Sequence, residues 1–375
     1  MLQRMSRLLT TKQGLIFIIY IMIESSSKKS SKTKTNLKGK IIENDDNLIN
    51  SKTYFQQDES SDAIELRPKN LEQYIGQTSI KKQLNIIIES ARIREKLPEH
   101  MLFYGQPGLG KTTLAYLISN ELKSNFKVIS APSLQKISDV ISLLVNTEPN
   151  TVIFIDEIHR LKAPIEESLY SAMEDFQIDI IVGKGQGATT VRMDLPPFML
   201  VGATTKLGKI SKPLKDRFPN VFRLEPYSDS EIIDLIERTC KIIKLKLDDD
   251  SILTTCRRSR GIPRVANNLL KRLLDLQMSK KSRVLNVDMV KEFFEEMGVF
   301  EEGLTVTDIN YLQALNEATH SLKSIADRLQ ETTDTIEEVT EPYLTHLGYI
   351  IKTSEGRNIT HKGVNYLERL ERSKL

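Results

Sequence analysis

One short stretch limits this chain more than any other. The apolar run Met101–Tyr104 ends at Gly105. The segment Gly105-Gln-Pro-Gly-Leu-Gly-Lys-Thr follows, and an apolar pattern of helical spacing begins near Lys111. The full GxxxxGK[ST] pattern between a strand and a helix predicts a phosphate-binding loop. Its glycines open backbone conformations closed to other residues, so successive N–H groups can converge on phosphate oxygens. The positive end of the following helix points at the same anion. Lys111 adds a mobile charge for the β- and γ-phosphates, and Thr112 offers a hydroxyl to Mg²⁺. Gly108, Gly110 and Thr113 complete the set, and ATP is the expected ligand.

Around that loop the chain alternates. Short, almost wholly apolar runs at Met101–Tyr104, Lys127–Ser130, Thr151–Ile155 and Phe198–Gly202 are separated mainly by helical patterns. This predicts an α/β fold with a parallel sheet covered on both faces. Residues 78–95 carry Ile80, Leu84, Ile87, Ile88 and Ala91 at helical spacing. Two alternating arms around the Gly-rich tip Gly183–Gly187 predict an inserted β-hairpin over 178–198. The pattern is helical from Ser228 to Met297, and Tyr349–Thr360 reads as strand-turn-strand. The expected organisation is a leader over 1–62, a large domain over 63–227, a small helical domain over 228–299 and a last domain over 300–375.

Two further strand ends, one short charged segment and one helix start carry candidate chemistry. The run Thr151–Ile155 delivers Asp156 and Glu157 to the C-terminal edge of the sheet, where ligands of open α/β folds lie. Asp156 is placed to hold Mg²⁺ through water, and Glu157 to orient the attacking water. Phe198–Gly202 runs on to Thr204-Thr205, and Thr205 is favoured as the γ-phosphate or water contact. Arg217 lies in a short charged segment and reads as a finger acting in a neighbouring subunit. Arg264 opens a helix after Gly261 and Pro263, where it can reach the γ-phosphate within its own chain.

Composition narrows the rest. With 375 residues, 39% hydrophobic, several packed domains are affordable, and a net charge of +3 excludes a global polycation. Cys240 and Cys256 have no metal-ligand spacing, the five histidines are scattered, and a reducing cytoplasmic setting fits. The apolar run Gly14–Ile23 is about ten residues against the roughly 20 a membrane helix needs. Translation from Met22 and a signal peptide or anchor are the two explanations; no membrane association is expected. Residues 24 to about 62, rich in Ser, Lys, Asn and Asp, read as disordered.

In this order the elements resemble the AAA+ ATPases. The phrases "LRPKNLEQYIGQ", "FYGQPGLGKTTLA", "FIDEIHRLKAPIEESLYSAMEDF", "MDLPPFMLVGATT", "PLKDRF", "RSRGIPRVANNLLKR" and "TIEEVTEPYLTHLGYI" are similar to the RuvB family over about residues 64–360. The resemblance implies an AAA+ P-loop NTPase with a parallel sheet, a small helical domain and a C-terminal winged helix. It implies an ATP-driven homohexameric motor on duplex and four-way junction DNA, in recombination, repair and the SOS response. RuvA-like and RuvC-like proteins would be its partners, the former docking on the 178–198 hairpin through an apolar arm of Ile178, Ile180, Ile181 and Val182. By matching position, Leu66 and Arg67 face the adenine. Glu174, Asp175, Phe176 and Tyr227 join Arg217 and Arg264 near nucleotide or subunit interface. Lys352 and Arg357 contact DNA.

The chain departs from the family pattern at three places. Gln106 replaces a Pro in the loop, no Gly-Pro turn appears in Asn316–Ser324, and Glu355 stands where the wing would carry an arginine. A carboxylate there repels phosphate, and Lys362 and Arg369 are the candidates to compensate. Two other functions fit parts of the pattern: a clamp-loader-like AAA+ subunit, and a DNA-binding regulator whose ATP site controls assembly. The hairpin and winged helix oppose the first; Glu157 and Arg217 oppose the second.

Overall fold

A computed structural model describes residues 49–50, 66–182 and 189–372. The rest of the leader with its apolar run, and the Gly-rich hairpin tip Gly183–Gly187, lie outside the described residues. The elements of the first domain are β1 (Ile49–Asn50), α1 (Thr78–Arg94), β2 (Met101–Tyr104), α2 (Lys111–Glu121), β3 (Asn125–Ser130), α3 (Ile137–Val145) and β4 (Thr151–Asp156). Then come α4 (Ala163–Glu174), β5 (Gln177–Val182), β6 (Thr189–Asp194), β7 (Phe198–Thr204), α5 (Lys212–Asp216) and β8 (Asn220–Arg223). The main sheet has the order β1-β3-β4-β7-β2-β8. All neighbours are parallel except β1, which adds antiparallel to the outer edge of β3. The two strands not expected from the sequence, β1 and β8, are the two edges. An edge strand needs no continuous apolar run: in β8, Phe222 is buried while Val221 is exposed.

The central strands are apolar at consecutive positions because both faces of the sheet are covered. Met101 and Phe103 of β2, with Val152 and Phe154 of β4, belong to one core; Leu102, Ile153 and Ile155 belong to the other. Side chains alternate across a strand, so two cores require apolar residues at every position. The first core takes in α1, α2 and the helical domain, and the second takes in α3, α4 and the hairpin.

The hairpin corrects one expectation. Ile178 and Ile180 are buried in the second core and turn inward, away from any docking surface. Asp179 alternates with them and faces out, paired with Arg192 at 2.8 Å. The period of two gives this strand one committed apolar face, and its own domain uses it.

The helical domain comprises α6 (Asp229–Ile243), α7 (Asp249–Arg258), α8 (Pro263–Lys280) and α9 (Val287–Glu296). Ser228 and Glu231 close a capping box at the start of α6, which sets the domain boundary sharply. The last domain has its own core. It contains α10 (Val306–Glu317), α11 (Leu322–Leu329), α12 (Thr333–Thr335), a π-helical turn over Ile336–Thr340 and α13 (Glu341–His346). The antiparallel wing β9 (Ile350–Thr353) and β10 (Gly356–Ile359) and the helix α14 (His361–Arg372) complete it. The segment lacking a Gly-Pro turn is held otherwise: His320 and Arg357 exchange backbone hydrogen bonds, adding a bridge beside the wing, and Ser321 caps α11.

Candidate active site

The loop after β2 is fixed by what surrounds it. Gly110 caps α2 at φ 98°, and a Cβ there would come within 2.5 Å of the Tyr74 hydroxyl. Gly108 has φ 83°, and a Cβ there would meet Ile262 at 2.9 Å and Arg264 at 3.0 Å. Both positions therefore need glycine for conformation and for space. Lys111 Nζ donates to the carbonyls of Gly105 at 2.9 Å and Gln106 at 2.8 Å. Gln106 acts here through its main chain, which explains why its side chain is tolerated. Burial lowers the Lys111 pKa to about 8, partly offset by Asp156.

A cavity of about 790 Å³ opens beside the loop. It brings together Gly108, Gly110, Lys111, Thr112 and Thr113 from the loop and α2, Asp156 and Glu157 after β4, Thr205 after β7, and Arg264 from α8. Leu66, Arg67 and Tyr227 line the same space. These are segments far apart in sequence that a parallel sheet collects at one edge. Burial raises the Asp156 pKa, opposed by a 2.9 Å hydrogen bond from the Glu157 amide and by Lys111. With Thr112 and Ser130 beside it, the donor set is hydroxyl and carboxylate oxygen, which suits a small hard cation. Among the described residues no cluster of three or more His, Cys, Asp or Glu forms a metal site by itself.

Glu157 has φ 51°, rare for a residue with a side chain, and its carboxylate pairs with Arg160 at 2.8 Å. The two threonines after β7 separate clearly. Thr205 is exposed to the cavity. Thr204 is buried, shares a 3.0 Å hydrogen bond with His159 Nδ1 and accepts from the Lys206 amide at 2.9 Å.

Several lining residues were not evident in the sequence. The Tyr227 hydroxyl donates to the Tyr74 hydroxyl at 2.9 Å, and Tyr74 donates to the Leu109 carbonyl at 3.2 Å. This pair ties the residue just before the helical domain to the phosphate loop. Arg238 donates to the Leu66 carbonyl at 2.9 Å, and Asn267 and Lys271 stand on the same wall. Their only sequence signal is helical spacing: Asn267 and Lys271 follow Arg264 by one and two turns.

Four residues carried over by resemblance lie elsewhere. Glu174, Asp175, Phe176 and Arg217 are absent from the cavity wall. Arg217 pairs with Glu174 at 3.1 Å, lies 4.4 Å over the Tyr170 ring, and donates to the Pro213 carbonyl. In the wing, Arg357 donates to Glu341 at 2.8 Å and lies near Glu337, and Lys352 pairs with the same Glu341 carboxylate. Glu341 is fully buried and also accepts from the Tyr311 hydroxyl at 2.9 Å. Burial pushes its carboxyl up, but the bonds from Arg357, Lys352 and Tyr311 outweigh this and leave it below the ordinary range.

Sheet order, phosphate loop, paired acidic residues and a lid helix reaching back with Arg264 define an AAA+ P-loop ATPase carrying a winged helix. Residues 66–224 match the Holliday junction DNA helicase RuvB P-loop domain, 227–299 the RuvB AAA lid domain, and 301–368 the RuvB C-terminal winged helix domain. The chain belongs to the RuvB family. It is 43% identical over 323 residues to the Holliday junction branch migration complex subunit RuvB of Lactobacillus gasseri, covering 85% of this chain and 95% of that one. It is 44% identical over 311 residues to the protein of the same name from Ehrlichia ruminantium, covering 82% and 94%. The solved Thermotoga maritima RuvB Holliday junction branch migration motor superposes with a TM-score of 0.73 at 38% identity, over 81% of this chain and 98% of that one.

Proposed function

We propose that this chain is the ATP-hydrolysing subunit of a hexameric motor that moves duplex DNA and drives branch migration of four-way junctions. The observation that carries this reading is the cavity at the sheet edge, where Lys111, Thr112, Asp156, Glu157, Thr205 and Arg264 converge while Arg217 stands outside it. A finger that cannot serve its own site serves the neighbour's, so the active unit is a ring. Glu174 and Asp175 are exposed beside Arg217 and would approach the nucleotide of the adjacent subunit, with Phe176 packed beneath them against His100 and Phe198.

Chemistry at such a site is mostly positioning and charge stabilisation. Loop amides and Lys111 hold the β- and γ-phosphates. Thr112 and Asp156 would hold Mg²⁺, Asp156 through water; the ion supplies charge neutralisation on the phosphate oxygens. Glu157 orients and polarises the attacking water, and Thr205 fixes its approach. As the β–γ phosphoanhydride breaks, Arg217 of the neighbour meets the charge spreading over the transferred group. Arg264 carries the change to the helical domain, which pivots at the Tyr74–Tyr227 contact. The winged helix follows the duplex through phosphate contacts, because a translocating machine cannot stall on sequence.

The hairpin would dock a RuvA-like junction binder beyond the stretch buried in its own domain, where Val191, paired opposite Ile180, is exposed. A RuvC-like resolvase would act on the same junction. Among the described residues no helix is long and apolar enough to cross a membrane. The shared site is tested by mixing. Arg217→Ala and Lys111→Ala subunits should each be inactive alone and recover part of the activity together. Absence of recovery, with mixed rings demonstrated, would count against a finger in trans.

A further inference from the structure

Among the contacts that the described residues make between the winged-helix domain and the rest of the chain, two differ sharply in character. On the helical-domain side the grip is buried. Arg260 donates to the Gly303 carbonyl at 2.9 Å and to Asp308 at 2.5 Å, and its guanidinium lies 4.4 Å over Tyr343. Gly303 sits so close to the Arg258 carbonyl that a Cβ would come within 2.5 Å of it. This seam lies just before Arg264 in the chain, so the helical domain and the last domain move together at this point.

On the other side, Lys206 of the ATPase domain pairs with Glu338, and both side chains are partly exposed, 27% and 45%. Lys206 follows Thr205 directly. Its amide is tied to Thr204, and Thr204 to His159, two residues beyond Glu157. Glu338 lies in the π-helical turn Ile336–Thr340. Such turns are rare and concentrate at functional positions. Glu341, which holds Arg357 and Lys352 of the wing, begins the next helix. A continuous line of bonded groups therefore runs from the γ-phosphate end of the cavity to the wing.

We propose that Lys206 and Glu338 are positioning residues that couple ATP turnover to the duplex grip of the winged helix. The inference rests on the motor reading above. An exposed ion pair is weak and screened by salt, so it can open and close in each cycle, whereas the buried Arg260 seam cannot. Tilting of the helical domain against the sheet carries the last domain with it and parts Lys206 from Glu338. That releases the π-turn and the wing residues anchored behind it.

The test uses full-length protein, with ATP turnover measured alone and with linear duplex DNA. Wild type should be stimulated by DNA. Glu338→Gln and Glu338→Lys should keep basal turnover within about twofold of wild type and lose at least threefold of the stimulation. Duplex affinity of Glu338→Gln, measured separately with ATP and with ADP, should no longer depend on the nucleotide. Lys206→Glu combined with Glu338→Lys should restore the response. Wild-type stimulation in the Glu338 variants overturns the coupling, as does a double variant that hydrolyses ATP at the basal rate yet ignores DNA. A wild-type protein that DNA does not stimulate overturns the motor reading itself, and the coupling with it.

Discussion

Lys111 donates to two neutral carbonyls at the edge of an open cavity, whereas Arg357 and Lys352 both end on one buried carboxylate. The nucleotide site thus keeps its positive charge available for a ligand, and the wing spends much of its own inside the domain. The difference follows from how each is built. At the cavity the sheet edge supplies partners that are mostly backbone or hydroxyl groups. In the wing, two short strands have little core of their own, and the Glu341 network with Tyr311 fixes them to the helices. The wing residues matched to DNA contact therefore have an internal structural role first.

The largest expected effect lies on the cavity side. Glu157→Gln should still bind ATP while its turnover falls by roughly 10²–10⁴, the usual scale for a residue managing the attacking water's proton. Steady-state hydrolysis near the wild-type rate would remove Glu157 from that role and leave the cavity as a binding site alone.

On the wing side, Glu341→Gln should destabilise the last domain by roughly 3 kcal/mol, because it leaves Arg357 and Lys352 without their buried partner. Thermal unfolding followed within that domain would check this, and an unchanged midpoint would mean that the wing is held by its apolar core. The pH dependence has a definite sign. A carboxyl whose pKa is depressed in the folded state stabilises it above the unfolded value, and that contribution is lost as pH falls through the folded value. The domain should therefore loosen below the ordinary glutamate range, and Glu341→Gln should lose this part of its acid sensitivity.

The contrast also explains what could be read from the chain beforehand. The central strands, the loop and the residues at strand ends were legible because each is a local pattern: a continuous apolar run, then glycine or a carboxylate. The edge strands β1 and β8 were not: β1 is only two residues long, and β8 buries one residue of four, so neither carries an apolar run. Tyr74, Arg238 and Asn267 were not, because each reaches the cavity from a separate element and only the packing of the helical domain on the sheet assembles them. The destination of Arg357 was equally hidden. Its charge is plain in the sequence, but the carboxylate that takes it lies sixteen residues earlier, on another element.

Protonation of Lys111 gives a smaller and sharper test of the cavity. Its pKa of about 8 reflects burial, and a bound polyphosphate would raise it. Nucleotide affinity, measured on Glu157→Gln so that ATP is not consumed, should be flat below pH 8. It should weaken by up to about tenfold per unit above that value. A flat profile to pH 9.5 would mean that the ammonium stays charged in the free protein.

The smallest effect is expected at the wing tip. Glu355 is exposed in the turn between β9 and β10, with Lys352 and Arg357 already engaged by Glu341. Lys362 lies on α14 rather than at the tip and donates to the neutral Leu347 carbonyl at 2.8 Å. A duplex approaching this tip meets a carboxylate before any free ammonium, so Glu355→Arg should tighten binding. The log–log salt slope should steepen by about one, the signature of one added phosphate contact. An unchanged slope would place the DNA on another face of the domain, and the wing would then be a structural element whose basic residues serve Glu341.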